Sequence, residues 1–337
     1  AIALVTFLPL GLLGGSLLFG PIVDRFGHKA LLLLSCLVVL LGLEGIAFFT
    51  SIPLLQVSII GIGLGGGILN GETNALVADI SNEAEKGSRL SLLGAFYGIG
   101  ALGIPVLLSF LSEYYSFEII LQGTGMVMLI GILFCLGIRF PAPKQPQGFP
   151  IKEGLGLLKE SSLLLLSFIL FFQSGIEGVC NNWTTLYLGQ TTGIPENRAL
   201  IALTCMVAGL TVARLLLVVL FKKIKQETVL RTSLITAVAG FALLTFAPGF
   251  ARAAIGMALI GAGLASTFPV ILSIIGSRYA SLSGTAFSVA LVIALIGQTL
   301  LNSLTGIISQ GYGIVVYPYM MIVSLLIMLL LFKRSLK

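Results

Sequence analysis

The sequence predicts an all-α integral membrane protein, and three observations carry that prediction. Hydrophobic residues make up 57% of the chain and charged residues only 9%, against roughly a quarter charged in soluble domains. The apolar residues fall in runs of the length that crosses a bilayer as a helix, about 17–25 residues. Those runs lack the short alternating texture of barrel strands, and in hydrocarbon only helices or closed barrels satisfy the backbone.

Eleven spans can be placed, at 1–20, 28–50, 53–79, 88–113, 117–139, 162–188, 197–221, 229–249, 251–275, 283–309 and 313–332. The first is followed by a charged turn containing Asp24, Arg25 and Lys29, and the second carries Glu44 near its outer end. The third is rich in glycine, GIGLGGG at 61–67. It is no phosphate loop, because it lies within a span and lacks the Gly-Lys-Ser/Thr ending. After the fifth comes RFPAPKQPQGFPIKEGLGLLKESS, Arg139 to Ser162, rich in Pro, Gly and Lys. It reads as a linker, with Ile151 to Glu160 a short interfacial helix. The sixth span carries Gln173, Glu177, Asn181, Asn182 and Trp183; the seventh carries Arg214; the tenth carries Gln298 and Asn302.

The linker divides the chain into an N-terminal bundle (1–140), the linker itself (141–161) and a C-terminal bundle (162–337). GIGLGGG at 61–67 and GAGLAST at 261–267 stand 200 residues apart, as a duplication of six-helix halves would place them. Two such halves around a midplane site form a transporter arrangement. On this reading the first helix of the first half lies outside the sequence, and the chain starts at the second of twelve helices.

Of the 19 cations, sixteen fall in one alternate set of loops and ends, from Arg25 to Lys337, and only Arg198 and Arg252 in the other. Such a bias marks the cytoplasmic side of a plasma (inner) membrane protein, with the linker and C-terminus inside. The net charge of +6 therefore reports topology rather than a nucleic-acid partner. Cys36, Cys135, Cys180 and Cys205 are scattered singly, without metal or disulfide spacing. The single histidine, His28, is placed in a cytoplasmic loop, which leaves little histidine-based catalysis or metal ligation.

The loop GPIVDRFGHKALL, Gly20 to Leu32, has a physical logic of its own. Gly20 permits close helix approach, Asp24 and Arg25 form a charge pair, Gly27 makes the turn and Lys29 marks the inside face. Its G-x-x-x-D-R-x-G-x-K spacing resembles the signature of the major facilitator superfamily, with Pro21 a small departure. The resemblance implies two pseudo-symmetric helical bundles. It also implies that Gly20, Asp24, Arg25, Gly27 and Lys29 belong to a cytoplasmic gate, with Arg214 resembling a further gate position in the eighth helix of the family.

Several stretches resemble the branch of fucose/galactose/glucose:proton symporters and related glucose transporters: GLGGGILNGETNALVADIS (63–81), LSLLGAFYGIGALGIPVL (90–107), GIE at 175–177 and GLASTFPVIL (263–272). The resemblance implies a non-enzymatic secondary transporter of a hexose or related sugar, coupled to protons, working as a monomer in the lipid bilayer without a cofactor. The match is incomplete. Where that branch has an acidic residue one turn before Asn74, this chain has Asn70, and Ser91 and Gly94 stand where the branch often has Asn and His.

The residues themselves supply the candidate site. At 100° per residue Gln173, Glu177, Cys180, Asn181 and Thr184 share one stripe of an apolar helix, while Asn182 points the other way. A carboxylate facing lipid costs about 2.5 kcal/mol or more, so the stripe is expected to line a cavity. Glu177 is the expected proton carrier. Gln173 and Asn181 are expected to meet substrate hydroxyls, and Trp183 is either a sugar platform or an interfacial anchor. Gly63, Gly67, Asn70 and Asn74 form a second stripe, with Glu72 and Asp79 opposite. Glu72 either takes over a proton role or bonds a neighbouring helix. Gln298 and Asn302, one turn apart, are further sugar partners or helix–helix glue.

Sodium is the alternative coupling ion, through Glu177 and Asn181. The competing functions are an efflux antiporter for amphipathic compounds, a non-transporting sensor and a membrane-embedded enzyme. The last would need paired aspartates or clustered histidines near a membrane face.

Overall fold

A computed structural model describes residues 7–246 and 249–335, and every regular element among them is helical. In chain order these are α1 Phe7–Phe26, α2 His28–Phe48, α3 Ile52–Ile80, α4 Lys86–Leu111, α5 Phe117–Gly137, α6 Ile151–Leu157, α7 Ser161–Thr192, α8 Glu196–Leu220, α9 Gln226–Phe246, α10 Phe250–Leu264, α11 Thr267–Arg278, α12 Ser283–Tyr312 and α13 Tyr317–Ser335. Among the described residues eleven helical stretches are long and apolar enough to cross a membrane, α10 and α11 together making one of them. The short α6 lies in the linker, where an interfacial helix is expected. Residues 1–6 of the first predicted span, 247–248 of the eighth and Lys337 lie outside the described residues.

Two local features depart from the sequence expectation. The predicted span 251–275 is interrupted at Ala265–Ser266, because Pro269 has no N–H to give the Ala265 carbonyl and its ring crowds that same group. His28 is not in a loop. Gly27 turns the chain at φ 81°, a conformation that suits a residue without a Cβ, and α2 begins at His28, whose side chain is buried.

Glycines set how the helices pack. A Cβ at Gly11 would collide with the Ile60 carbonyl and one at Gly63 with the Leu8 carbonyl, so α1 and α3 touch backbone to backbone. A Cβ at Gly42 would lie 2.8 Å from the Ser58 carbonyl and one at Gly65 2.8 Å from that of Ser35, which joins α2 to α3 in the same way. The same contacts recur further along the chain. Gly209 and Gly261 join α8 to α10 through Ala258 and Met206, and Gly240 and Gly263 join α9 to α10 through Gly256 and Ser233. Every residue of the second set is 198 positions after its equivalent in the first. The repeat is therefore structural, with a register two residues from the 200 suggested by matching GIGLGGG to GAGLAST. Glycines two apart make those strings match at either offset, and only the neighbours they meet choose between them.

Contacts gather the chain into two compact units. One runs to Ile80 and adds Ile104–Lys159 and Ile275–Val292; the other holds Ser81–Gly103, Glu160–Ile274 and the chain from Ile293 onward. One boundary, between Lys159 and Glu160, falls in the linker at 141–161; the others lie within or between helices. The first turns of α12 pack with α1, where the Ser288 hydroxyl bonds the carbonyls of Ser16 and Leu17. The first turns of α4 pack with α8, where Ser88 donates to the Val218 carbonyl at 2.9 Å and Ser91 to that of Arg214 at 2.9 Å.

Candidate functional site

In the second unit α12 lies along α7 because small residues let it. A Cβ at Gly175 would collide with Leu301, one at Gly178 would sit 2.6 Å from Gln298 and 2.7 Å from Asn302, and one at Gly297 would collide with the Phe171 carbonyl. Gly306 leaves room for the Trp183 ring. This packing places the polar residues of the two helices side by side.

The expected α7 stripe divides. Gln173, Cys180 and Thr184 are fully buried. Thr184 Oγ1 lies 3.0 Å from the Tyr317 hydroxyl, which also reaches Cys180 Sγ at 3.3 Å. Gln173 Nε2 donates to the Leu264 carbonyl at 3.1 Å, the last carbonyl of α10 before its interruption, and to Glu177 Oε1 at 2.7 Å. Glu177 itself is half-buried and Asn181 exposed.

Asn182, which the helical wheel sets apart, is the α7 amide that meets α12: its Nδ2 donates to Asn302 Oδ1 at 2.9 Å. Asn302 in turn donates to the Gln298 carbonyl at 2.7 Å. The pair is thus a helix–helix contact, with the exposed Gln298 amide and the half-buried Trp183 beside it.

Arg214 on α8 is 7% exposed. Its Nη1 donates to the Gly94 carbonyl of α4 at 3.0 Å, while its Nε is buried without a partner. The contact lies within a helix rather than at a helix end. Arg214 and Glu177 act on each other electrostatically without a direct ion pair among the described residues.

In the first unit, the stripe of α3 is not uniform either. Gly63 and Gly67 are spent on contact with α1, whose Leu8 and Leu12 carbonyls they meet. Asn70 is exposed and Asn74 half-buried, its Nδ2 donating to the Asn70 carbonyl at 2.7 Å. Glu72 is fully buried and follows the neighbouring-helix alternative, with Oε1 2.7 Å from His28 Nδ1.

The expected Asp24–Arg25 charge pair is replaced by a different arrangement. Asp24 is buried and accepts from the Gly284 N–H at 3.1 Å, the Thr285 N–H at 2.8 Å and the Thr285 hydroxyl at 2.6 Å. It caps the positive end of α12, where four N–H groups lack intrahelical partners. Arg25 is exposed, with its guanidinium over the Phe26 ring. A Cβ at Gly20 would lie 2.7 Å from Thr285 Cα, so that glycine lets the cap form. Lys29 Nζ donates to the Leu136 and Ile138 carbonyls at 2.9 and 3.1 Å, closing the end of α5.

Around this cap stand residues that motif reading did not select. Asp79 receives Lys144 Nζ at 2.7 Å and the Ser283 hydroxyl at 2.9 Å, and lies 3.1 Å from His28 Nε2. Lys144 also bonds Ser283. The Gln145 N–H donates to the Asp24 carbonyl at 2.8 Å and its side-chain amide to that of Ser281 at 3.2 Å. The linker is thereby stitched to α1, α3 and α12. The seven-residue spacing of Glu72 and Asp79 was the available signal, since it puts both carboxylates on the face that meets His28.

A family model described as Major Facilitator Superfamily matches residues 1–299. The chain belongs to the major facilitator superfamily. Its fold resembles the fucose:proton symporter FucP of E. coli, with a TM-score of 0.84 at 18% identity, covering 98% of this chain and 90% of that one. Among curated proteins it is similar to the glucose/mannose transporter GlcP of Bacillus subtilis, 24% identical over 330 residues, covering 89% of this chain and 79% of that protein. It is also similar to the multidrug resistance protein MdtH of Aeromonas hydrophila, 30% identical over 163 residues, 48% of this chain and 39% of that protein. This superfamily member is a multi-pass membrane transporter and not an enzyme.

Proposed function

We propose that this transporter carries a small neutral polar solute, a hexose or related sugar, in symport with protons by alternating access. Glu177 is the observation that carries the reading. It is a half-buried carboxylate in a membrane helix, held by Gln173 and under the field of Arg214, with no cation in direct contact among the described residues. Ionisable groups at such depth mark ion pathways. Asn181 and Gln298 offer both donors and acceptors to sugar hydroxyls. Trp183 serves as an apolar platform beside them. The similarity to FucP, a fucose:proton symporter, and to GlcP, a glucose/mannose transporter, supports a sugar.

The bundles on either side of the linker, 1–140 and 162–337, are the moving halves, and the protein works as a monomer in the plasma (inner) membrane. Its lysine- and arginine-rich side, with linker and C-terminus, is cytoplasmic. The Asp24 cap, with Gly20, Gly27 and Lys29, acts there as the gate; Arg25 stands outside it, and Arg214 braces α8 against α4. No cofactor takes part.

The test follows external pH as sugars are added one by one to de-energised cells expressing the protein. Alkalinisation with one sugar, abolished in Glu177→Gln while counterflow of that sugar persists, is the expected result. Counterflow without a pH change moves coupling to sodium or to none. A second reading, efflux of amphipathic compounds, has the similarity to MdtH behind it; drug resistance with no response to any sugar would establish it instead.

A further inference from the structure

His28 bridges two carboxylates, and proton counting gives the bridge a consequence. Its Nδ1 lies 2.7 Å from Glu72 Oε1 and its Nε2 3.1 Å from Asp79 Oδ2. A neutral imidazole has one N–H and one lone pair, while an ionised carboxylate only accepts. Both contacts can be hydrogen bonds only if the trio holds one proton more than a neutral imidazole and two carboxylates. That proton sits either on the imidazole or on Glu72, and the count is the same. The second oxygen of Glu72 is buried without a hydrogen-bond partner among the described residues.

The trio is tied to the α1–α12 cap. Asp79 shares Lys144 and Ser283 with it, Ser283 is the first residue of α12, and Asp24 acts electrostatically on Glu72. The charged groups facing the imidazole are thus Glu72 and Asp79 from α3, with Asp24 of α1 and Lys144 of the linker behind them. Arg25 is exposed, and Lys29 turns away to the end of α5.

We propose that His28, Glu72 and Asp79 form a proton-binding site, separate from Glu177, that latches the end of α1 to the start of α12 when occupied. Loss of the proton turns a lone pair of the imidazole towards a carboxylate oxygen at hydrogen-bond distance, and repulsion replaces attraction. The sign follows directly: the latched form binds the proton and the released form need not, so latching is favoured at low pH and weakens as pH rises.

The experiment places spin labels at the exposed positions Phe26 and Ser281, in full-length protein with Cys36, Cys135, Cys180, Cys205 and any further cysteine replaced. The distance distribution is measured by electron–electron resonance between pH 5.5 and 9, without solute. Expected is a short-distance population that declines with pH, the short-to-long ratio changing by no more than about tenfold per pH unit, as a single proton requires.

His28→Arg keeps a cation that does not titrate in this range and should hold the short distance throughout. Glu72→Gln supplies an amide donor to the imidazole lone pair, needs no extra proton and should also flatten the profile; it decides the matter if His28→Arg does not fold. A flat wild-type profile, or a titration unchanged in these variants, overturns the proposal. The measurement is repeated in Glu177→Gln, where the titration should persist. Its disappearance there would assign the proton to Glu177 and sink the latch, while failure of the sugar test leaves this result untouched.

Discussion

The junctions α1–α12 and α8–α4 are built on one plan and charged differently. In each, a serine near the start of one helix donates to a backbone carbonyl of the other: Ser288 of α12 to Ser16 of α1, Ser91 of α4 to Arg214 of α8. Ser16 and Arg214 are separated by the same 198 positions as the packing glycines. Yet the first junction holds buried carboxylates, a histidine and a lysine from the linker, whereas the second holds one buried arginine bonded to the Gly94 carbonyl. Shared backbone contacts make the repeat; side-chain charge makes one copy responsive to protons and the other a brace.

Substitutions can break or sharpen that comparison, and stability in detergent, followed by the fluorescence of Trp183, the only tryptophan, would measure them. The largest effect is expected at the shared contacts. Gly65→Leu and Gly263→Leu force a side chain onto the backbone of α2 and α9 and should each destabilise by about 3 kcal/mol, the upper part of the usual overpacking range. Unequal losses would show that the copies are not equally packed.

Asp24→Ala should follow at about 2 kcal/mol, since it removes a buried helix cap with three hydrogen bonds. A loss under a few tenths would mean that water replaces the cap. Lys144→Met should lower stability by about 1 kcal/mol, as expected for a partly exposed ion pair. The smallest effect belongs to Arg214→Met, within about 1 kcal/mol of zero in either direction, because the desolvation of a buried cation offsets its single hydrogen bond. A large loss there would make the second junction as dependent on charge as the first.

Much of the architecture was legible in the chain. Helical spans, the linker with its short helix and the glycine-driven packing follow from run length and residue size. The GPIVDRFGHKALL loop pointed to the family and placed Asp24, Gly20, Gly27 and Lys29 at one helix end. The partners were not legible. Arg25 stands next to Asp24 in sequence, but consecutive side chains on a helix diverge, and the carboxylate found the amides of Gly284 and Thr285 some 260 positions away. Gln173 obeyed the helical wheel yet turned to Leu264, because the interruption ahead of Pro269 lies against it.

Sequence by itself determined the solvent, the number and kind of elements and the chemistry available at each position, since these depend on local composition and periodicity. Tertiary structure decided the register of the repeat, which polar groups are satisfied and which stay open, and that His28 stands between Glu72 and Asp79. Those outcomes depend on distances between helices far apart in the chain, and helical periodicity gives the direction of a side chain without naming what it meets.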